Sequence, residues 1–198
     1  APTMVLLPRG AVVMGAHGDQ PGREADEGRF HTVNIAYRLA FSVHELTWDD
    51  YMLCVRDGAC NGYVPDDAGF GRGRRPVINV SFNDGYAYLQ WLNAKLGIAW
   101  ERPDRYTFAT EAEWEFAALA GTQGPALFAY HGGATQGGSA ANFLPAGPGA
   151  TTVVGTYPAN AWGLRDMHGN ALEWVEDCYR PAHTALPNDG RAWLEGPC

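Results

Sequence analysis

The chain has 198 residues and a formal net charge of −8, with 46% hydrophobic residues that include seven Trp, nine Tyr and eight Phe. A length near the usual 100–200 residues per domain and no composition break point to one domain over 1–198, with ample apolar area for a core. The acidic balance excludes a phosphate-backbone partner, which needs a basic stripe, and GRGRR (71–75) reads as a solvated loop. Twenty-five Gly and 13 Pro predict a loop-rich fold with short regular elements.

From the N-terminus, MVLLPRGAVVMGA (4–16) is two apolar runs broken at Pro8–Gly10, the pattern of a β-hairpin. The acidic, glycine-rich stretch 18–28 is a loop by composition. HTVNIAYRLAFSVHELT (31–47) returns to β-branched and aromatic alternation and predicts strand. Thr47 then reads as an N-cap with Asp50 at N3, opening a short helix that Gly58 stops. The same grammar recurs at Ser81 with Asp84, followed by Ala87, Tyr88, Trp91, Leu92 and Leu96 at helical spacing before Gly97. A third capped helix runs from Thr110, with Glu113 at N3, to Gly121. Residues 121–161 are rich in Gly, Ala, Pro and Thr and predict a long loop anchored by Asn142 and Tyr157.

No apolar run reaches the roughly 18–20 residues that span a bilayer. The opening Ala-Pro-Thr, without a charged region followed by an apolar one, is compatible with what signal-peptide cleavage leaves or with a trimmed boundary. Cys54 and Cys60 lie close in sequence, as do Cys178 and Cys198, and no CxxC occurs. Four cysteines allow three pairings. Two local disulfides and an extracytoplasmic location, periplasmic or secreted, are the favoured reading, with reduced buried thiols as the alternative. The histidines at 17, 31, 44, 131, 168 and 183 show no HExxH or comparable metal spacing, and no nucleotide or hydrolase fingerprint appears.

Several strings stand in order along the chain: VMG at 13–15, HTVNI at 31–35, HELTWDDYMLC at 44–54, PVINVSFNDGYAYLQWL at 76–92, TEAEWEFAA at 110–118 and WGLRDMHGNALEW at 162–174. Together they resemble the formylglycine-generating enzyme, or sulfatase-modifying factor, family over nearly the whole chain. The resemblance implies an irregular, loop-rich α/β (α+β) fold related to C-type lectin domains, frequently with bound calcium. Family members range from copper-dependent oxidases that make formylglycine, through domains of sulfoxide synthases, to proteins that only bind ligands or partners. TEAEWEFAA is in itself a well-capped helix, so it marks the fold rather than a site.

The family's enzymes carry a catalytic cysteine pair beyond an Arg-Gly-Gly-Ser-Trp block, which does not occur in these 198 residues. Thr107, Phe108 and Ala109 also stand where many members have Arg-Leu-Pro. Copper is therefore implied only if such a segment follows Cys198. Cys54, Cys60, Cys178 and Cys198 match positions that are structural in bacterial relatives, and the acids Glu176 and Asp177 beside Cys178 argue against a reactive thiolate. Catalytic residues are accordingly none.

By the same resemblance, a calcium site forms at the GNALEW turn from Asp166, Gly169, Ala171 and Glu173, oxygen donors that suit a hard cation. The alternative is that Asp166 and Glu173 cap backbone amides. Asn142 and Phe143 match half of a second family site, whose acid is not identifiable in PAGPGATT (145–152). The leading function is an exported, non-catalytic binding or accessory domain that meets a protein or small ligand through its loop-rich face. Two alternatives are the larger part of a family oxidase and a packing subunit of an envelope or redox assembly.

Overall fold

The computed structural model describes residues 1–15, 30–122, 141–143, 147–179, 187–195 and 198. The predicted loop at 18–28, most of 121–140 and 144–146, and His17, His131 and His183 lie outside these residues. Among the described residues the regular elements are four short strands, three helices and a 3₁₀ turn at Cys60–Gly62. The loop-rich α/β reading holds.

The strands are β1 (Met4–Leu7), β2 (Gly10–Met14), β3 (His31–Ile35) and β4 (Leu39–Ser42). The expected hairpin between the first two does not form. Instead β1 pairs antiparallel with β4 and β2 with β3, so the two runs before and after Pro8 each find a distant partner. The ladders nearly join, with Leu7 opposite Leu39 and Gly10 opposite Ile35. Between them Pro8 and Arg9 face three residues, 36–38, a bulge-like mismatch that suits a Pro without an N–H. Alternation along β2 and β3 buries Val12, Met14, Val33 and Ile35 against the third helix.

Helices α1 (Trp48–Arg56), α2 (Phe82–Lys95) and α3 (Glu111–Leu119) start where their caps predict. Thr47 accepts from the Asp50 N–H, while Ser81 with Asp84 and Thr110 with Glu113 close full capping boxes. The third helix ends on Ala120 in the left-handed region, followed by Gly121. Its apolar face, Phe116 with Ala112, Ala117 and Ala118, joins the strands, Leu164 and Met167 in one core. A second core gathers Tyr51, Cys54, Cys60, Tyr88 and Leu92 between α1 and α2. There the Cys54–Cys60 disulfide, with Cα atoms 5.7 Å apart, ties the end of α1 to the 3₁₀ turn.

Elsewhere long irregular segments are held by side chains that replace a ladder. Asn93, 1% exposed, donates from Nδ2 to the Leu89 and Tyr106 carbonyls and accepts from the Tyr106 N–H. Asn160 donates to the Ala117 carbonyl at 2.8 Å and accepts from the Trp162 and Leu164 N–H groups. The C-terminal strip is pinned to the start of α3. Asp177 accepts from the Glu111 and Trp193 N–H groups, and the Gly190 carbonyl accepts from the Thr110 and Tyr37 hydroxyls. Among the described residues, no helix is long and apolar enough to cross a membrane.

Candidate functional site

Both family-like strings meet at one place. Trp114, from α3, donates its indole N–H to Glu173 Oε2 at 3.1 Å, and Trp174 donates to the Val80 carbonyl at 3.0 Å. The helix that reads as a pure fold marker thus holds the motif acid in position. The turn itself is built from unusual backbone, with Asp166 at φ 58°, Gly169 at φ 115° and Asn170 at φ 70°. Asp and Asn tolerate the left-handed region, whereas φ 115° calls for glycine. A Cβ on Gly169 would overlap the Asn142 carbonyl oxygen and sit 2.9 Å from its carbon.

Asn142 and Phe143, expected in a separate half-site, are therefore packed directly against the GNALEW turn. The Asn142 carbonyl accepts from the Asn170 N–H at 2.7 Å, and Asn142 Nδ2 donates to the Ala150 carbonyl and to Asn170 Oδ1. The Phe143 carbonyl accepts from the Gly147 N–H. Gly147–Thr152, the described part of PAGPGATT, contains no acid that would complete a second site.

Asn170 organises the centre. Its Oδ1 accepts from the Thr152 N–H, the Thr152 hydroxyl and Asn142 Nδ2, while its Nδ2 donates to Glu45 Oε1 at 2.8 Å. Neither Asn170 nor Glu45 belongs to the ligand set read from the sequence. Glu45 precedes α1, so only the fold brings it to the turn. A signal existed in that HELTWDDYMLC places an acid two residues ahead of a helix cap, but nothing local says where it points.

Asp166 is 5% exposed. Its Oδ2 accepts from the Gly155 N–H at 2.5 Å, and its Oδ1 is buried with no N–H donor among the described residues. Glu45 Oε2 is buried in the same state. Burial, then the Asp166 charge and Glu173, push the Glu45 carboxyl up to about 8. Asp166 is also raised, again by burial, against the opposing Gly155 N–H. Burial lifts Glu173 to about 7 despite the Trp114 bond, with Asp166 adding to the rise. Glu173 is exposed as a residue, with its carboxyl turned inward onto the Trp114 indole.

These residues fit a hard cation in part. Asp166 offers a buried oxygen with no donor, and the Gly169 carbonyl, which accepts from the Ala171 N–H at 3.0 Å, retains a second lone pair. Among the described residues, however, no three His, Cys, Asp or Glu side chains converge as a ready-made metal cage. All four cysteines are paired, Cys54 with Cys60 and Cys178 with Cys198, whose Cα atoms lie 4.9 Å apart.

The sulfatase-modifying factor enzyme 1-like domain family matches residues 1–197. The chain belongs to that family. It is similar to the formylglycine-generating enzyme of Mycobacterium tuberculosis (strain ATCC 25618 / H37Rv), at 34% identity over 127 residues, which are 59% of this chain and 38% of that protein. It is also 37% identical over 109 residues to the serine/threonine-protein kinase pkn1 of Chlamydia pneumoniae, covering 55% of this chain and 15% of that protein. The chain thus spans well under half the length of these relatives. The structure of PvdO from Pseudomonas aeruginosa superimposes with a TM-score of 0.83 at 33% identity, over 100% of this chain and 78% of that one.

Proposed function

We propose that this family domain is an exported, non-catalytic binding or accessory unit, supported by calcium at the GNALEW turn, that meets a protein or small ligand through its loop-rich face. The observation that carries the reading is the pairing of all four cysteines. Soft thiolates are what hold Cu(I), and within these residues none is free. Two disulfides also suit an oxidising compartment. Likeness to part of one protein named a formylglycine-generating enzyme and to part of another named a protein kinase argues that the fold does not carry one activity. When bound, calcium would cross-link the turn as a structural cation. Asp166, with the Gly169 and Ala171 carbonyls and Glu173, would hold it, while Asn142 and Phe143 buttress the turn.

A second reading, the larger part of a copper-dependent oxidase, is favoured by the short span of the relatives that this chain covers. The test uses the natural full-length protein, with copper, oxygen and a cysteine-containing sulfatase peptide. No hydrazide-reactive carbonyl is the expected result. An aldehyde at the peptide cysteine would overturn the non-catalytic reading in favour of the oxidase.

A further inference from the structure

The GRGRR loop, 71–75, divides its backbone between the fold and the solvent. Three successive carbonyls are taken up by the fold. Gly73 and Arg75 accept from the Asp49 and Trp48 N–H groups at the start of α1, and Arg74 accepts from the Val154 N–H. By contrast, the N–H groups of 71–75 make no hydrogen bond among the described residues. Gly71 and Gly73 have φ 92° and 75°, and Arg72 between them has a negative φ. Such alternation is the backbone pattern of concavities that bind anions through successive N–H groups. The positive end of the α1 dipole stands behind the loop, because its first N–H groups are the donors that the loop carbonyls accept.

Three guanidinium groups share this short segment. Arg72 is steadied by the buried Trp48, with its guanidinium carbon 4.9 Å from the ring centroid, and its Nε lies 3.6 Å from Asp67 Oδ2. Arg75 turns back along the loop, so that its Nε is 3.6 Å from where a Cβ on Gly71 would stand. The side chains of Arg74 and Arg75 make no hydrogen bond or ion pair among the described residues, and Arg74 is exposed. Two acids stand nearby, Asp67 against Arg72 and the exposed Asp49 at the start of α1, so the loop keeps a surplus of positive charge in a chain of net charge −8.

We infer that loop 71–75 binds a single phosphate-type oxyanion, either the free ion or the phosphomonoester group of a small ligand. Guanidinium forks match phosphate oxygens, and backbone N–H groups supply further donors from other directions. A tetrahedral ion uses such a set more fully than a planar carboxylate can. A polyanion is a poor occupant, since its further charges would meet the acidic remainder of the chain. This is consistent with the absence of a basic stripe for a nucleic-acid backbone. The inference gives the binding role above a ligand class without depending on calcium or on export, and its failure leaves the carbonyl test of that role unchanged.

The test is calorimetric titration of the natural full-length protein, at low ionic strength and neutral pH, with inorganic phosphate, phenyl phosphate and acetate. Arg74→Gln and Arg75→Gln are titrated beside Arg9→Gln, which removes the same charge from the exposed link between β1 and β2. Wild-type protein is expected to bind phosphate at one site, and acetate at least tenfold more weakly. Each loop variant should lose affinity by roughly fivefold or more, and Arg9→Gln by less than twofold. Phenyl phosphate bound as well as phosphate would identify an ester group as the occupant, whereas phosphate alone would identify the free ion, and either upholds the site. Absence of binding by both phosphates, acetate bound as tightly as phosphate, or an equal loss in Arg9→Gln would overturn the inference. Amide chemical shifts give a second readout that needs no variant. Phosphate should move the resonances of 71–75, and shifts confined to other segments would place the ion elsewhere and refute the assignment.

Discussion

Replacing Gly169 by Ala tests whether the motif glycine is required by geometry. Gly169 has φ 115°, outside the left-handed well that other residues reach, so an alanine there carries backbone strain of about 1–3 kcal/mol. Its Cβ would also overlap the Asn142 carbonyl, with the carbon at 2.9 Å, and a backbone group cannot swing aside as a side chain can. Such overpacking costs about 1–3 kcal/mol. The two contributions predict a loss of about 2–6 kcal/mol, a large share of the roughly 5–15 kcal/mol that holds a domain folded. Gly97→Ala is the control, because Gly97 also has positive φ, at 69°, but a Cβ there meets nothing within 4 Å. The left-handed penalty of about 1–2 kcal/mol would there be partly offset by the lower entropy of the unfolded chain. Urea unfolding with both disulfides intact, read by tryptophan fluorescence, gives the two differences. If Gly169→Ala costs no more than Gly97→Ala, close approach to Asn142 is not what requires the glycine.

Asn160→Ala removes a donor to the Ala117 carbonyl and an acceptor for two buried-segment N–H groups, for an expected loss of about 2–4 kcal/mol. In a chain of this size that is a fall of roughly 4–16 °C in unfolding temperature by circular dichroism, and a fall below about 2 °C would refute the bracing role. Tyr51 is 0% exposed, its hydroxyl has no hydrogen-bond partner among the described residues, and burial, followed by Asp84 and Tyr63, pushes its phenol up to about 12. The folded state therefore favours the neutral phenol. That contribution is complete below the unfolded value near 10 and is lost as pH rises from there toward 12. Tyr51→Phe should be as stable as wild type or up to about 2 kcal/mol more stable near neutral pH, and should lose less stability between about pH 10 and 11. A loss above about 1 kcal/mol at neutral pH would show that the hydroxyl is bonded after all.

Helix starts were legible because a cap is local chemistry. Thr47, Ser81 and Thr110 each stand three residues from the acid they need, and the fold leaves those decisions intact. Strand pairing was not legible in the same way. Pro8–Gly10 has the composition of a turn, yet whether neighbouring runs pair depends on competitors further along, and β3 and β4 outcompete a hairpin by offering both runs partners. At the turn, Asp166, Gly169 and Glu173 are nominated by the family motif itself. Glu45 is not nominated, since its place beside the turn depends on Asn170, 125 residues away in sequence. The buried asparagines were hidden for a related reason. A polar residue such as Asn93, set among the apolar positions of α2, looks like solvated surface until the loop that it braces is in place.

The same economy explains how the turn holds two buried carboxyls, Glu45 through Asn170 and Asp166 through the Gly155 N–H. A fold with few ladders must satisfy its irregular backbone by other means, and here asparagine amides serve both a carbonyl and an N–H from a single side chain. At the GNALEW turn this bracing is directed at an acid. Asn170 uses its oxygen to gather Thr152 and Asn142 and its nitrogen to aim Glu45, while Gly169 lets the Asn142 segment approach closely enough for that network to close. Each acid is consequently held by the frame at one oxygen. Preorganisation of this kind lowers the ordering cost of binding a cation, so the strain at the turn and the mutual repulsion of its acids belong to one physical arrangement. Loosening the frame at Gly169 should therefore weaken calcium binding as well as the fold, although the substitution removes none of the oxygen ligands.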